Sequence, residues 1–329
     1  MGRPVLVTGA TGFAGGHLVD LLHASGEIVF AWGGRRSAAA APSGITATPV
    51  DVLDRDAVER ALSIIRPRTI FHCAGLTHVG ESWRAVAPTL QTNVIGTHHL
   101  LEADRRLGLG ARILVPGSAA VYRPAAEPLT EEAPIGPQSP YAVSKLAQEQ
   151  LALAAAAEGQ QVIVTRSFNH VGPRQDPSFA AASFARQIAL IEAGALEPVI
   201  RTGNLEALRD ITDVRDTVRA YVLLADHGEP GVVYNVCTGR GVVMADLLER
   251  LCTRARVRVE IRQDPALMRP NDVPVVVGCN RRLVRATGWH PAIPLERTLD
   301  DLLEYWRGEI RRRGREGSES PAGRPATPS

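Results

Sequence analysis

Lysine is almost missing from this chain. Of its 37 basic residues, 36 are arginine, and the single lysine is Lys145 in the stretch SPYAVSKLAQEQ at 139–150. Arginine serves any ordinary surface need for positive charge, so a lone retained lysine points to a site that wants a compact, flexible ammonium. Cysteine is also scarce. Cys73, Cys237, Cys252 and Cys279 are far apart and form no CxxC pair, which excludes a disulfide framework and a zinc site and fits reduced thiols in a cytosolic chain. Charge of one sign is not in excess: 37 basic against 35 acidic residues leave +2, no basis for a nucleic-acid partner or a membrane surface. Long apolar runs are absent too. The longest apolar helix candidate, 151–157, falls far short of the ~20 residues that span a bilayer, and the first residues enter a strand pattern without a signal-peptide layout. The expectation is a cytoplasmic protein with no nucleic acid, no membrane and no metal.

What is present is 45% hydrophobic content and a regular alternation. Short apolar runs at 5–7, 28–31, 69–73, 112–116 and 162–166 are separated by helical patterns, as in parallel strands joined by crossover helices. The sequence predicts an α/β fold, a doubly wound parallel sheet over 1–170, with a smaller mixed α/β carboxyl-terminal region over 171–307 interleaved with it. Residues 308–329 have no apolar period and are expected to form a disordered tail.

The first strand runs directly into VLVTGATGFAGG, where Gly9, Gly12 and Gly15 have a GxxGxxG spacing. Glycine lets backbone turn tightly and approach a ligand, and the N–H groups of a helix start attract a pyrophosphate. Strand, turn and helix fall where a Rossmann-type dinucleotide site needs them, with Thr11, Phe13 and Ala14 in the same turn. An acidic residue after the second strand would hold the ribose 2′-hydroxyl of NAD; GGRRS stands there instead. Arg35 and Arg36 suit a 2′-phosphate, so NADP(H) is preferred and NAD(H) possible. Asp51, before Val52, reads either as an adenine contact or as a cap for the following helix.

Tyr141 and Lys145 are i and i+4, on one face of a helix. A phenol of pKa near 10 exchanges protons poorly at neutral pH, and lowering it by ~3 units takes roughly 4 kcal/mol, which an adjacent ammonium can supply. Ser118, in LVPGSAAVY, follows the fourth strand, at the carboxyl edge where sites of open α/β sheets collect.

With TGATGFAG, HCAG at 72–75, Asn93 in TNVIGTHHLLEA, Ser118 and YAVSK, residues 4–307 resemble the extended short-chain dehydrogenase/reductases that act on nucleotide sugars. The resemblance implies that the hydroxyls of Ser118 and Tyr141 bind the sugar oxygen, that Tyr141 passes a proton, and that Lys145 holds the nicotinamide ribose and lowers the Tyr141 pKa. It also adds Val52, Ala74, Asn93 and His170 to the cofactor site. The second half, with RSFNHVGPRQ, SFARQIALIEAG, GNLEALRDITDVRDTVRAY, MRPNDVP and TGWHP, is similar to the GDP-4-keto-6-deoxy-D-mannose reductase branch. By that similarity Asn169, Arg209 and Arg269 contact the substrate diphosphate, and Thr77, Arg174, Arg186, Asn204 and Asp272 complete the substrate site. Arg123 departs from the family, which usually has glycine after the tyrosine.

The expected reaction is NADPH-dependent reduction of the C4 ketone of a GDP-linked 4-keto-6-deoxy sugar, supplied by an upstream sugar 4,6-dehydratase. A homodimer is implied through helices near 84–107 and 141–158. Two alternatives remain open at this point: a nucleotide-sugar 4-epimerase with tightly bound NAD, and a non-catalytic dinucleotide-sensing protein. Against dehydration and epimerisation, Ala119, Ala120 and Arg174 stand where relatives place acid/base groups.

Overall fold

The computed structural model describes residues 4–34, 45, 47–268 and 273–318. Along the chain, β1 (Val5–Thr8) leads into α1 (Phe13–Ala24), β2 (Val29–Gly33), β3 (Thr48–Pro49), α2 (Arg55–Ile65) and β4 (Thr69–His72). Two short helices, α3 (Val79–Ser82) and α4 (Val86–Leu90), run through one wider π turn at Gln91–Ile95 into α5 (Gly96–Arg106). There follow β5 (Arg112–Ser118), α6 (Pro140–Ala157), β6 (Val162–Ser167), β7 (Asn169–Val171), α7 (Ala180–Glu192), β8 (Val199–Thr202), β9 (Leu208–Asp213) and α8 (Val214–His227). The last elements are β10 (Val233–Val236), β11 (Gly241–Val243), α9 (Met244–Cys252), β12 (Glu260–Gln263), β13 (Val275–Val276), α10 (Arg281–Thr287) and α11 (Leu295–Ser318).

Among the described residues, seven strands form one parallel sheet in the order β10-β6-β5-β4-β1-β2-β3. The order reverses at β1 and β4, the switch point where open α/β sheets leave a crevice beyond their carboxyl ends. The strands read as continuous apolar runs because helices cover both faces. Alternate side chains divide between two cores. Val5, Val7, Phe71, Leu114 and Ile163 pack with Leu18 and Leu22 of α1 and Val218 and Leu224 of α8. Leu6, Ile70, Ile113, Val162 and Val164 pack with Val58 and Leu62 of α2, Leu100 of α5 and Ala152 of α6.

Helix starts follow their capping residues. Asp54 accepts from Ala57 N at 2.9 Å to begin α2, and Ser139 accepts from Ala142 N at 3.1 Å with Pro140 in the first turn of α6. Asp51, the other candidate cap, instead accepts from Leu53 N at 2.9 Å.

The chain divides into two compact units. The first combines 4–170 with 206–243 and the described part of 270–295, so the sheet takes its edge strand β10, and its covers α8 and α10, from the second half of the sequence. The second consists of 171–205, 244–268 and 296–318. In it β8 and β12 pair in parallel, and Arg307 on α11 grips Glu192 on α7 through two hydrogen bonds of 2.7 and 2.6 Å.

The tail expected from residue 308 is corrected as far as Ser318, where α11 ends; 319–329 lie outside the described residues. Arginine and glutamate are good helix formers and pair at short range, as Arg312 does with Glu309 at 2.6 Å, so a missing apolar period does not mean a missing helix.

Candidate active site

The glycine turn shows in its geometry why glycine is required. Gly9 has φ +63°, and a Cβ there would lie 2.6 Å from Ala74 N, while one at Gly15 would lie 2.2 Å from Gly9 O. Gly12 begins α1 without a side-chain cap, no acidic residue stands in the first turn, and the first N–H groups have no acceptor within the helix. The residues therefore fit an anionic dinucleotide, by the open, cap-free helix start and the closely packed turn. Phe13, in that turn, stacks on His170 with ring centroids 5.7 Å apart and planes 8° apart. His170 Nδ1 lies 3.1 Å from Phe168 O, which makes it the donor and leaves Nε2 as acceptor; burial holds its pKa below the usual value. Ala74 N donates to Thr8 Oγ1 at 3.1 Å. Val52 is buried and its carbonyl lies 3.0 Å from His99 Nδ1. Arg35 and Arg36 lie outside the described residues.

Asn93 sits in the π turn and joins two elements. Its Oδ1 accepts from Leu76 N at 2.8 Å, and its Nδ2 donates to Leu76 O at 3.0 Å and to Ser144 Oγ at 2.8 Å. The side chain thus ties the exposed loop carrying Leu76 and Thr77 to α6. Asn93 is fully buried within this wider turn.

Ser118 closes β5 and Tyr141 opens α6, with the Ser118 hydroxyl acting on the Tyr141 phenol. Ser118 Oγ also accepts from Ala120 N at 3.2 Å, and Tyr141 N donates to Ser82 Oγ at 3.1 Å, which fixes the start of the helix. Burial raises the Tyr141 pKa, and the Ser118 hydroxyl opposes that rise. This differs from the expectation that Lys145 lowers it. The Lys145 ammonium is itself buried, 7% exposed, and donates to Pro116 O at 2.6 Å and to Gln148 Oε1. Desolvation brings its pKa down to about 8.

Beneath Lys145 lies a polar cluster the sequence reading missed. Gln148, Thr97, His72 and Thr8 are each 1% exposed or less. The signal for Gln148 was available, since it stands three residues after Lys145 on the same helix.

The expected substrate residues fall in both units. Asn169 and Arg209 are on β7 and β9, which pair, and Arg209 Nη1 donates to Leu208 O at 3.0 Å and Pro274 O at 3.3 Å. In the second unit, Arg174 has φ +71°, strained for a non-glycine residue, and the Arg186 guanidinium lies 6.0 Å from the centre of the Trp306 ring. Asn204 is half-buried there, while Arg269 and Asp272 lie outside the described residues.

Comparison with known proteins decides the family. The profile of the family described as GDP-mannose 4,6 dehydratase matches residues 6–302. The chain belongs to this family, among the extended short-chain dehydrogenase/reductases of nucleotide sugars. It is 39% identical over 317 residues to a GDP-6-deoxy-D-mannose reductase of Pseudomonas aeruginosa, covering 94% of this chain and 99% of that protein. A solved structure of RMD from the same organism, complexed with NADPH, aligns with a TM-score of 0.82 at 39% identity, over 94% of this chain and 100% of that one. A UDP-glucose 4-epimerase of Thermotoga maritima, solved with UDP-glucose, gives a TM-score of 0.82 at 28% identity, over 93% and 99%. Members of this family thus share one scaffold across different outcomes at the sugar. Among the described residues, no group of histidine, cysteine, aspartate and glutamate is placed to hold a metal ion, and no helix is long and apolar enough to cross a membrane.

Proposed function

We propose that this chain reduces the C4 ketone of a nucleotide-linked 4-keto-6-deoxy sugar, GDP-4-keto-6-deoxy-D-mannose, to GDP-D-rhamnose, using NADPH in preference to NADH. The observation that carries the reading is the Ser118 hydroxyl acting on the Tyr141 phenol at the carboxyl edge of the sheet, one helical turn from the lone Lys145, in a chain 39% identical to a GDP-6-deoxy-D-mannose reductase. The relative solved with NADPH and the arginines at 35 and 36 favour NADP(H).

NADPH, when bound, supplies the hydride to C4. Gly9, Thr11, Gly12, Phe13, Ala14 and Gly15 would receive its diphosphate, Arg35 and Arg36 its 2′-phosphate, Asp51 and Val52 its adenine end, and Ala74, Asn93, Lys145 and His170 its nicotinamide end. Tyr141 gives its hydroxyl proton to the oxygen that becomes the C4 hydroxyl. A phenol whose pKa is raised by burial holds its proton at neutral pH but is a weaker acid, so the transfer depends on positive charge placed near the tyrosinate. Ser118 offers a second donor to the same oxygen. Lys145 places a positive charge near the developing negative charge. Asn169, Arg209 and Arg269 suit the diphosphate of the substrate, since guanidinium forks bind such groups in pairs; Thr77, Arg174, Arg186, Asn204 and Asp272 complete the sugar-nucleotide site.

The substrate must arrive as a ketone, so a sugar 4,6-dehydratase acts upstream; the working form is a cytoplasmic homodimer. The test is NADPH oxidation against GDP-, UDP- and dTDP-linked 4-keto-6-deoxy sugars. Oxidation with the GDP sugar, well above the other two, is expected. Interconversion of UDP-hexoses by copurified NAD, without net NADPH consumption, would make the protein an epimerase instead.

A further inference from the structure

The ammonium of Lys145 has two acceptors, and one of them is adjustable. Pro116 O is backbone, whereas Gln148 Oε1 belongs to a side-chain amide whose oxygen and nitrogen have nearly the same shape. What turns the oxygen toward lysine lies one layer further in. Thr97 Oγ1 is 2.7 Å from Asn93 O, a carbonyl that only accepts, so the threonine hydrogen is committed there. Thr97 Oγ1 is then an acceptor for Gln148 Nε2 at 2.7 Å and for His72 Nε2 at 3.0 Å. His72 Nδ1 in turn lies 2.9 Å from Thr8 Oγ1, which takes the hydrogen of Ala74 N and donates its own to the ring. Each hydrogen in the chain has one consistent place. A flipped Gln148 would set its NH2 against the ammonium and its oxygen against a hydroxyl with no hydrogen left to give.

We infer that Gln148, oriented by Thr97 with His72 behind it, is a positioning residue that holds the Lys145 ammonium in place and sets how tightly lysine keeps its proton. This rests on the reading of Lys145 as part of the reductase site. An amide does not pass protons at neutral pH, so the chain is a brace and not a proton wire. The titratable groups facing Lys145 are His72 and Cys73 at the end of β4, with Tyr141 one turn earlier on α6. Burial, the largest cause in both cases, holds His72 at about 3 and Cys73 at about 12, so neither is charged at neutral pH. Among the described residues, no carboxylate acts on the lysine. The neutral oxygen of Gln148 is therefore the side-chain partner on which its proton affinity depends.

Because Lys145 is the one lysine, 15N-lysine labelling of the full chain gives one side-chain ammonium signal, whose titration can be followed directly by NMR. Relative to wild type, Gln148→Glu should move the midpoint up and Gln148→Met should move it down, each by about one pH unit. Thr97→Ser, which keeps the hydroxyl, should titrate as wild type, whereas Thr97→Val should follow the methionine variant. The high-pH limb of kcat/KM with NADPH should shift in the same directions. Thermal melting identifies any variant that does not fold, and the serine and glutamate variants keep the test open if an apolar one fails. Midpoints that stay together, or that move the same way in the glutamate and methionine variants, overturn the inference. A split of midpoints in a protein that reduces no keto sugar would leave the brace standing and remove the functional reading; a working reductase with unmoved midpoints would do the reverse.

Discussion

The hydroxyl of Ser118, the last residue of β5, acts on the phenol of Tyr141, the second residue of α6, and lowers its pKa against the effect of burial. Strand end and helix start thereby bring two hydroxyls to the place where a carbonyl oxygen would have to be met by two donors. If they act as one unit on that oxygen, Tyr141→Phe should lower kcat by roughly 10²- to 10⁴-fold, and Ser118→Ala should cost nearly as much. The double variant should then be little worse than the tyrosine variant alone. Multiplying effects in steady-state kinetics would show that the two act independently.

Lys145→Arg retains the charge but not the fit. Pro116 O lies 2.6 Å from Nζ in a buried pocket shaped for a point charge, so a planar fork should lose turnover by roughly 100-fold or more while the protein still folds. Near-normal turnover with normal melting would contradict this.

The burial of Lys145 also has a pH consequence. Its pKa is about 8 in the folded protein against 10.5 normally, so between those values the unfolded chain binds more protons and stability rises with pH. Below about pH 8 the charged lysine therefore weakens the fold, by about 3 kcal/mol at most. Lys145→Met should be more stable than wild type at pH 7, and the gap should close as pH approaches 10.5. Urea melts of the two proteins across that range measure it; a gap that does not change with pH would mean that the ammonium is not strained by burial.

Much of the fold was legible in the sequence. Strands covered on both faces leave continuous apolar runs, and Gly9 and Gly15 mark places where a Cβ would meet backbone. Ser118, Tyr141 and Lys145 were legible through residue type and spacing. What escaped was non-local. Nothing within Val233–Val236 says that it completes the edge of a sheet begun at residue 5, and past the apolar period of Leu299, Leu302, Leu303 and Trp306 nothing but charge pairing carries α11 on to 318. Thr8, His72, Thr97 and Gln148 are ordinary polar residues in sequence, and only the packing of four elements, β1, β4, α5 and α6, makes them one buried cluster. The Tyr141 pKa went the other way from expectation because burial outweighs the effect of the Ser118 hydroxyl.

Replacing Arg35 and Arg36 by alanine should raise KM for NADPH roughly 10-fold or more and leave KM for NADH nearly unchanged, since a charged hydrogen bond contributes ~1.5–3 kcal/mol. Equal effects on both cofactors would move the 2′-phosphate contact elsewhere.

Dehydration and ring inversion should be absent. Ala119 and Ala120 offer no proton, and an arginine such as Arg174 is a poor base at neutral pH. GDP-mannose with NADP should therefore give no keto sugar, and the 4-keto sugar reduced in deuterated water should carry no deuterium at C3 or C5 beyond a control without enzyme.

The central claim is a hydride to C4 and a proton to its oxygen, and NADPH deuterated at the transferable position of the nicotinamide tests it most directly. Incubated with GDP-4-keto-6-deoxy-D-mannose, the protein should consume one equivalent and yield GDP-D-rhamnose with deuterium at C4 alone, read by NMR. Product without deuterium at C4, or no product while the cofactor stays unconsumed, would contradict it.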